Sequence, residues 1–495
     1  MEIPLDCLIT VEMGKETEVG RAVMEADLEL DAPKHVFLML FLLTDRKNKD
    51  SRFQPYYAML PATLSNMPVF WRADELEKLQ GSFLLTQIEE RNLAIAKDYE
   101  SICKIYSDFE NIATLDEFRW ARMCVCSRNF GIVIDGIRTS ALVPYADMLN
   151  HLRPRETKWT FDNARSAFTI TALQYIEKGD QIYDSYGQKC NHRFLLNYGF
   201  AIEDNREADG FNPNEIAFDI ALRQDDPLTP RKQLLWIRDG SPSGSGPKRI
   251  RICASDNDNF RAVLSLLRVC VADDDDLERL FGQQNPYGAF RTASDIHFPL
   301  SFRNELRVLR LLGQSITNML NKYPTSLEQD LQDLKGNTLP PFSNQRHAKI
   351  HVKSEKVVLR HYIAFAAIAL DLARIPLGEH FDQALTDLFD GRWCAPSPSS
   401  STNSDAWRSA FSFQPTRGDC KHVASYCNSV LRQVKRLAGP HDDVDACLDS
   451  PTSSTLTTRR PIQVANIERT SNNGQPSDTS STGKSEIDLK APTIV

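Results

Sequence analysis

The period of apolar and polar positions changes several times along the 495-residue chain. Residues 5–12, Leu-Asp-Cys-Leu-Ile-Thr-Val-Glu, predict a short strand at the start. From Lys34 the pattern shifts. Val36 to Leu43 is an unbroken, largely unbranched apolar run that reads as a buried helix. Phe53-Gln-Pro-Tyr-Tyr57 and Leu60-Pro61 read as aromatic and proline-rich turns. Helices are predicted over Asp74–Gln80, Leu84–Ser101 and Leu115–Ser127, the last with Asp116 as its N-cap.

Strand composition returns over Ile132–Val143, where Asp135-Gly136 is a hairpin signal. Trp159–Thr171 alternates, and Gly179-Asp180 turns the chain into Gln181-Ile182-Tyr183. Strands flanking a helical insertion define an α+β unit rather than a β-α-β alternation. Beyond Asn205, apolar residues at three- and four-residue spacing predict helices over Asn214–Leu222, Phe260–Val271, Phe302–Lys322, Leu327–Leu334 and Ser354–Ala373. The acidic run Asp273–Asp276 reads as a solvated loop. After Trp393 the composition turns to Ser, Thr, Pro, Asn and Asp, which predicts a largely disordered tail. Within that tail His422–Leu437 reads as a basic amphipathic surface helix.

Composition excludes some classes of function. A net charge of -8 offers no general attraction to nucleic acid or anionic membrane. The longest apolar run is far too short to span a bilayer. The eleven cysteines lack Cys-x-x-Cys pairs, so the expectation is reduced thiols, a cytoplasmic or nuclear location and no metal site.

Two stretches carry candidate chemistry. Leu142–His151 (Leu-Val-Pro-Tyr-Ala-Asp-Met-Leu-Asn-His) is an apolar run ending on two polar side chains, and Tyr183–Gly187 (Tyr-Asp-Ser-Tyr-Gly) runs into Asn197-Tyr-Gly-Phe200. Alone, an Asn-His pair is more often a satisfied turn, and a buried tyrosine at a strand end is more often core. Several further motifs fall in order with them: Phe53–Pro61, Trp71 with Leu76–Ser82, Arg119-Trp120, Ser127-Arg128, Tyr323–Asp330 and Glu355–Leu359.

In that order the motifs resemble the SET-domain protein methyltransferases of the Rubisco large-subunit and actin-histidine methyltransferase family, over residues 1–375. The resemblance implies an α+β fold: a SET β-fold with a pseudoknot and a helical insertion, then an all-α substrate-binding domain and a disordered tail. The implied boundaries are 1–31 with 125–204 for the SET domain, 32–124 for the insertion, 205–393 for the substrate-binding domain and 394–495 for the tail. The family's opening Gly-x-Gly strand pair has no counterpart here, which implies an N-terminally truncated SET domain.

The implied reaction is methyl transfer from S-adenosylmethionine to a protein nitrogen. The implied cofactor residues are Glu12, Met13, Gly14, Arg128, Asp147, Asn150, His151, Tyr198, Gly199 and Phe200, with Phe200 stacking on adenine opposite Glu12. Tyr186 is the implied catalytic residue, and Phe130, Tyr183 and Tyr186 face the substrate. Phe130 matches the aromatic of lysine-directed members, where the histidine-directed branch carries a polar residue. The expected function is therefore lysine N-methylation of a non-histone protein by a monomer. The alternatives are a histidine methyltransferase and a catalytically weakened SET scaffold that binds a partner.

Overall fold

The computed structural model describes residues 1–237, 246–255, 257–281, 296–336, 338–392 and 403–438, together with Ala293 and Val444. The chain divides into two units, Met1–Glu215 with Leu320–Val358, and Ile216–Met319 with Leu359–Val495. The 31-residue helix Asn344–Arg374 crosses the division.

The first unit opens on strand β1 (Glu2–Pro4), strand β2 (Ile9–Thr10) and two short helices, α1 (Val11–Glu16) and α2 (Glu18–Glu25). The strand expected over residues 5–12 is thus corrected to a two-residue strand that turns into a helix at Val11. Thr10 and Thr17 supply the reason, because each hydroxyl accepts a backbone N–H of the helix it caps (Met13 and Gly20). The predicted apolar helix is α3 (Pro33–Asp45), buried from Val36 to Leu40 and again at Leu42 and Leu43. Gly14 lies so close to α3 that a Cβ there would stand 1.9 Å from the Phe37 carbonyl oxygen. Only a glycine permits that approach.

The proline-rich turns expected near residue 55 include a real helix, α4 (Gln54–Met59), with Pro55 in its first turn. Then follow α5 (Ala73–Leu76), α6 (Leu84–Ile105), α7 (Phe109–Ile112) and α8 (Leu115–Arg128). The cap of α8 is Thr114, paired with Glu117 in a capping box, and not Asp116. These helices share one apolar core with Ile9, Leu142, Leu195 and Leu196.

Strands β3 (Asn129–Ile134) and β4 (Ile137–Leu142) form the predicted hairpin, with Asp135 and Gly136 both at positive φ. Strand β5 (Asn150–His151), the hairpin of β6 (Thr157–Asp162) and β7 (Ala167–Ala172), strand β8 (Tyr183–Asp184) and helix α9 (Asn191–Tyr198) complete the order. The sheets run β1-β7-β6 and β2-β4-β3, while β5 pairs with β8. That pairing is parallel, Asn150 with Tyr183 and His151 with Asp184, and it joins the two stretches singled out in the sequence. Residues 320–358 close the unit through Ser82 Oγ to His351 Nε2 (2.9 Å) and the Ala201 N–H to His347 Nδ1 (3.1 Å).

Where the second unit begins, the helix expected over Asn214–Leu222 is corrected to a strand, Glu215–Ile220, paired with Lys248–Cys253. Its Phe-Asp-Ile end alternates buried, exposed, buried, which a strand satisfies. The acidic run is not a loop either, because Asp274–Phe281 is a helix and Asp276 is buried in it. Asp276 accepts from Ser301 Oγ (2.8 Å) and Asn304 Nδ2 (2.9 Å), so burial is matched by hydrogen bonds.

The tail also departs from expectation. Helices Arg417–Tyr426 and Arg432–Leu437, with a π-turn between them, bury Cys420, Val423, Tyr426, Cys427, Leu431 and Val434 in the second unit. The predicted surface helix is therefore a core element whose polar composition conceals its apolar face. Residues 445–495, also expected to be disordered, lie outside the described residues. Among the described residues no helix is long and apolar enough to cross a membrane.

Candidate active site

The site is built where β5, β8 and α9 converge in the first unit. The Tyr186 N–H donates to His151 Nδ1 (3.0 Å), and the Tyr186 hydroxyl donates to the Leu149 carbonyl (2.9 Å). Tyr186 is therefore held at both ends by Leu149–His151. An imidazole nitrogen that accepts carries no proton, so His151 is neutral with its hydrogen on Nε2. Burial, then the charges of Arg153 and Lys189, lower the His151 pKa to about 4.

Aromatic rings fill the space below. Tyr186 stacks on Tyr198 (4.8 Å), and His151 lies 5.2 Å from Tyr186, 5.0 Å from Phe194 and 6.2 Å from Phe200. Phe194 and Phe200 stack at 5.2 Å. Gly199 ends α9 in the left-handed region (φ 77°), and a Cβ there would meet Asn66 Nδ2 at 2.2 Å. The left-handed turn at Gly199 brings Phe200 back to the ring cluster.

A second group stands at the end of α8. Arg128 donates to the Asp147 carbonyl (3.2 Å) and carboxylate (3.3 Å), and Tyr56 donates its hydroxyl to the same carboxylate (2.7 Å). The Asp147 side chain is wholly buried. Burial raises its pKa, against the hydrogen bond from Tyr56 and the charge of Arg128. Asp147 thus holds Arg128 in place: Oδ2 accepts from both Arg128 and Tyr56, while the buried Oδ1 has no hydrogen-bond partner among the described residues.

The structure brings together Asn150, His151, Tyr183, Tyr186, Tyr198, Gly199 and Phe200, with Arg128 joined to Asp147 on the same Ala146–His151 segment. It places other expected residues apart. Glu12 is exposed on α1, a helix rather than a strand, and accepts from Thr139 Oγ1 (3.5 Å). Met13 packs on the helical core, and Gly14 is committed to the contact of α1 with α3. Phe130 packs on Trp159 (5.3 Å) and Phe168 (5.0 Å) in the small sheet core.

Three further residues of the site carry little signal in the sequence. Tyr56 sits inside the Phe53–Pro61 motif, and its hydroxyl is what could have drawn notice. Phe194 lies four residues before Tyr198, the spacing that places two side chains on one helix face. Lys189 donates to the Tyr186 carbonyl, and burial lowers its pKa; a lone lysine in a loop carries no such signal.

Tyr186 keeps its proton, since burial raises the phenol to about 12, against the lowering charge of Arg128. The site therefore offers a neutral hydroxyl, a neutral imidazole, a stacked aromatic face and an arginine. His151 Nε2 and Arg128 Nε are buried with no hydrogen-bond partner among the described residues. These unmatched donors, beside an aromatic face and the exposed Asn150 side chain, fit a polar ligand with a flat ring.

His151 makes the stability of the fold depend on pH. Its folded pKa lies below its ordinary value of 6.5, so the stability it contributes is present above that value and lost as pH falls toward about 4. Between about pH 7.5 and about pH 5, wild type is expected to lose about 1 kcal/mol more than His151→Asn, after allowing for solvent near the ring. Urea midpoints of both proteins at both values check this. Equal losses would show that the fold does not hold His151 neutral.

This β-fold, with its parallel β5–β8 pairing and its helical insertion before β3, is the SET fold. The SET domain of LSMT bound to lysine and AdoHcy has a TM-score of 0.60 at 21% identity, covering 78% of this chain and 82% of that one. Rubisco LSMT bound to AdoMet gives 0.59 at 22%, covering 74% and 80%. A family profile described as Rubisco LSMT substrate-binding matches residues 223–359. Among curated proteins, the actin-histidine N-methyltransferase of Danio rerio is 26% identical over 412 residues, 79% of this chain and 66% of that protein. The Homo sapiens protein of the same name is 26% identical over 392 residues, 76% and 63%. The chain spans just under two-thirds of these relatives' length. Sequence and fold together bear out the resemblance to the SET-domain methyltransferases of the Rubisco LSMT and actin-histidine group.

Proposed function

We propose that this chain is an S-adenosylmethionine-dependent protein N-methyltransferase that acts on a lysine of a non-histone protein. The observation that carries the reading is the double tie of Tyr186 to Leu149 and His151, beside the unmatched donors of His151 and Arg128. When bound, S-adenosylmethionine supplies an electrophilic methyl group on its sulfonium. Phe200 and the neutral His151 would hold the adenosine end, and Asn150 and Arg128 the amino-acid end, where a planar cation suits a carboxylate.

Little covalent chemistry is left to the protein, so alignment and exclusion of water dominate. The Tyr186 hydroxyl, fixed on the Leu149 carbonyl, has lone pairs free to accept an N–H of the incoming nitrogen and to orient its lone pair. With a pKa near 12 it is not the base that deprotonates a lysine. That proton leaves to water, favoured where an apolar surround disfavours the ammonium.

The lysine reading rests on the resemblance of Phe130 to the aromatic of lysine-directed members; in this fold the ring packs on Trp159 and Phe168, so the acceptor is decided by the product. A histidine acceptor is the second reading, supported by the names of the curated relatives. The purified chain, incubated with labelled S-adenosylmethionine and cell protein, is expected to yield labelled methyl-lysine on acid hydrolysis. Methyl-histidine as sole product would overturn the lysine assignment. Absence of both products, with S-adenosylmethionine binding intact, would favour a SET scaffold that acts through partner binding.

A further inference from the structure

At the start of α9, three side chains from separate positions meet. Cys190 caps the helix, His192 lies in its first turn and Glu215 begins the strand that follows. Cys190 Sγ lies 3.7 Å from His192 Nε2 and 3.6 Å from Glu215 Oε1, and His192 Nε2 lies 3.7 Å from the same carboxylate oxygen. Cys190 and His192 are buried, while the Glu215 side chain keeps 19% of its exposure.

The triangle is nearly equilateral. Around tetrahedral Zn²⁺, with bonds of about 2.3 Å to sulfur and about 2.0–2.2 Å to nitrogen and oxygen, neighbouring ligand atoms stand about 3.3–3.6 Å apart. The observed edges exceed that by a few tenths of an ångström at most. One nitrogen, Nε2, faces both the sulfur and the carboxylate. A nucleophile relay would require two different ring nitrogens, one toward the thiol and one toward the acid. Convergence on one point is what ligands of a single ion require.

The surrounding hydrogen bonds hold the triangle in shape. Asn214 Oδ1 accepts from the Asn191 N–H (2.9 Å) and from Asn205 Nδ2 (2.9 Å), and Asn205 Nδ2 also donates to the Lys189 carbonyl (2.9 Å). The residues adjoining Cys190 and Glu215 are thus linked to one another.

We propose that Cys190, His192 and Glu215 form a three-ligand site for one Zn²⁺ ion, with the fourth position open on the Glu215 side. The mixed sulfur, nitrogen and oxygen donor set suits Zn²⁺ better than the all-oxygen preference of Mg²⁺ or Ca²⁺. As the Zn–S bond forms, the Cys190 S–H bond breaks and its proton passes to solvent, one proton per ion. The bound ion fastens the turn after Tyr186 to the start of α9 and to the Glu215 side chain, so the site stabilises the segment that carries the tyrosine. Spacing rules built on Cys-x-x-Cys pairs do not register ligands at 190, 192 and 215.

The test uses the full chain, stripped with chelator and titrated with Zn²⁺ or Co²⁺ alone, with no activity readout. Wild type is expected to bind one more equivalent of Zn²⁺ than Cys190→Ala or Glu215→Gln and to release a proton on binding. It is also expected to show a thiolate-to-Co²⁺ charge-transfer band that both variants lose or weaken. Its melting temperature is expected to rise with Zn²⁺ more than theirs. Circular dichroism of the metal-free proteins establishes that the variants fold, and His192→Asn serves if either does not. Equal Zn²⁺ stoichiometry in wild type and folded variants, or a Co²⁺ band unchanged by Cys190→Ala, would overturn the site.

Discussion

Tyr186→Phe is expected to lower the rate of methyl transfer by about 10²-fold or more while leaving S-adenosylmethionine affinity within about threefold of wild type. The substitution removes one oxygen. It keeps the ring stacked on Tyr198 at 4.8 Å and the backbone N–H donated to His151, so the cofactor side of the site is undisturbed. What disappears is the hydroxyl that donates to Leu149 and would accept from the incoming nitrogen. The fold loses one partly buried hydrogen bond, about 1 kcal/mol, and the Leu149 carbonyl loses its donor. A larger fall in turnover than in stability therefore separates orientation from folding.

Calorimetry with S-adenosylmethionine and turnover on the same preparations measure the two effects. Turnover of Tyr186→Phe equal to wild type would remove the tyrosine from the reaction. The pH profile adds a second readout. With the phenol near 12 and the imidazole near 4, neither group should produce a limb between about pH 6 and about pH 9. A rising limb in that range belongs to the acceptor nitrogen, and its loss in Tyr186→Phe would instead identify a tyrosinate base.

The legible parts of this chain are those where one local signal dominates. Val36–Leu43 reads as a buried helix from its length and largely unbranched side chains, and Asp135-Gly136 supplies two positive φ values in succession. The Asn150-His151 and Tyr186 stretches were legible as motifs, and their parallel pairing explains why residues distant in sequence share one site. Elsewhere the deciding partner is remote. Helix α1 is six residues long with a glycine inside it, poor material for a helix by propensity, and it stands because Thr10 caps it and Gly14 fits against Phe37. Asp276 reads as solvated until Ser301 and Asn304 are brought to it. Phe130 reads as part of the site until Trp159 and Phe168 take up its ring.

The tail is another case of a remote partner deciding, and Tyr426 reveals what composition hid. Its hydroxyl donates to Glu305 (2.6 Å), which also accepts two hydrogen bonds from Arg268 (2.9 and 2.8 Å). Arg268 further donates to the Ile296 carbonyl (3.1 Å), and the two charged side chains are only 2% and 0% exposed. Arg268→Met leaves a carboxylate in the core with one phenol as its remaining donor among these three. Breaking a buried pair on one side costs about 3–5 kcal/mol, whereas replacing both partners by apolar groups of similar volume is often close to neutral. Arg268→Met is therefore expected to destabilise the second unit by about 3–5 kcal/mol, and Arg268→Met with Glu305→Leu to recover part of that loss. The recovery is incomplete because Tyr426 then loses its acceptor, a cost of about 1–3 kcal/mol that a further Tyr426→Phe change relieves. With two units in the chain, a single global midpoint need not report on one of them. Hydrogen exchange followed segment by segment is the suitable measurement, with the effect expected in Asp258–Val271, Phe302–Leu320 and Arg417–Leu437 together. Protection lost in the first two helices but unchanged in Arg417–Leu437 would show that the tail helices are not part of the same cooperative core.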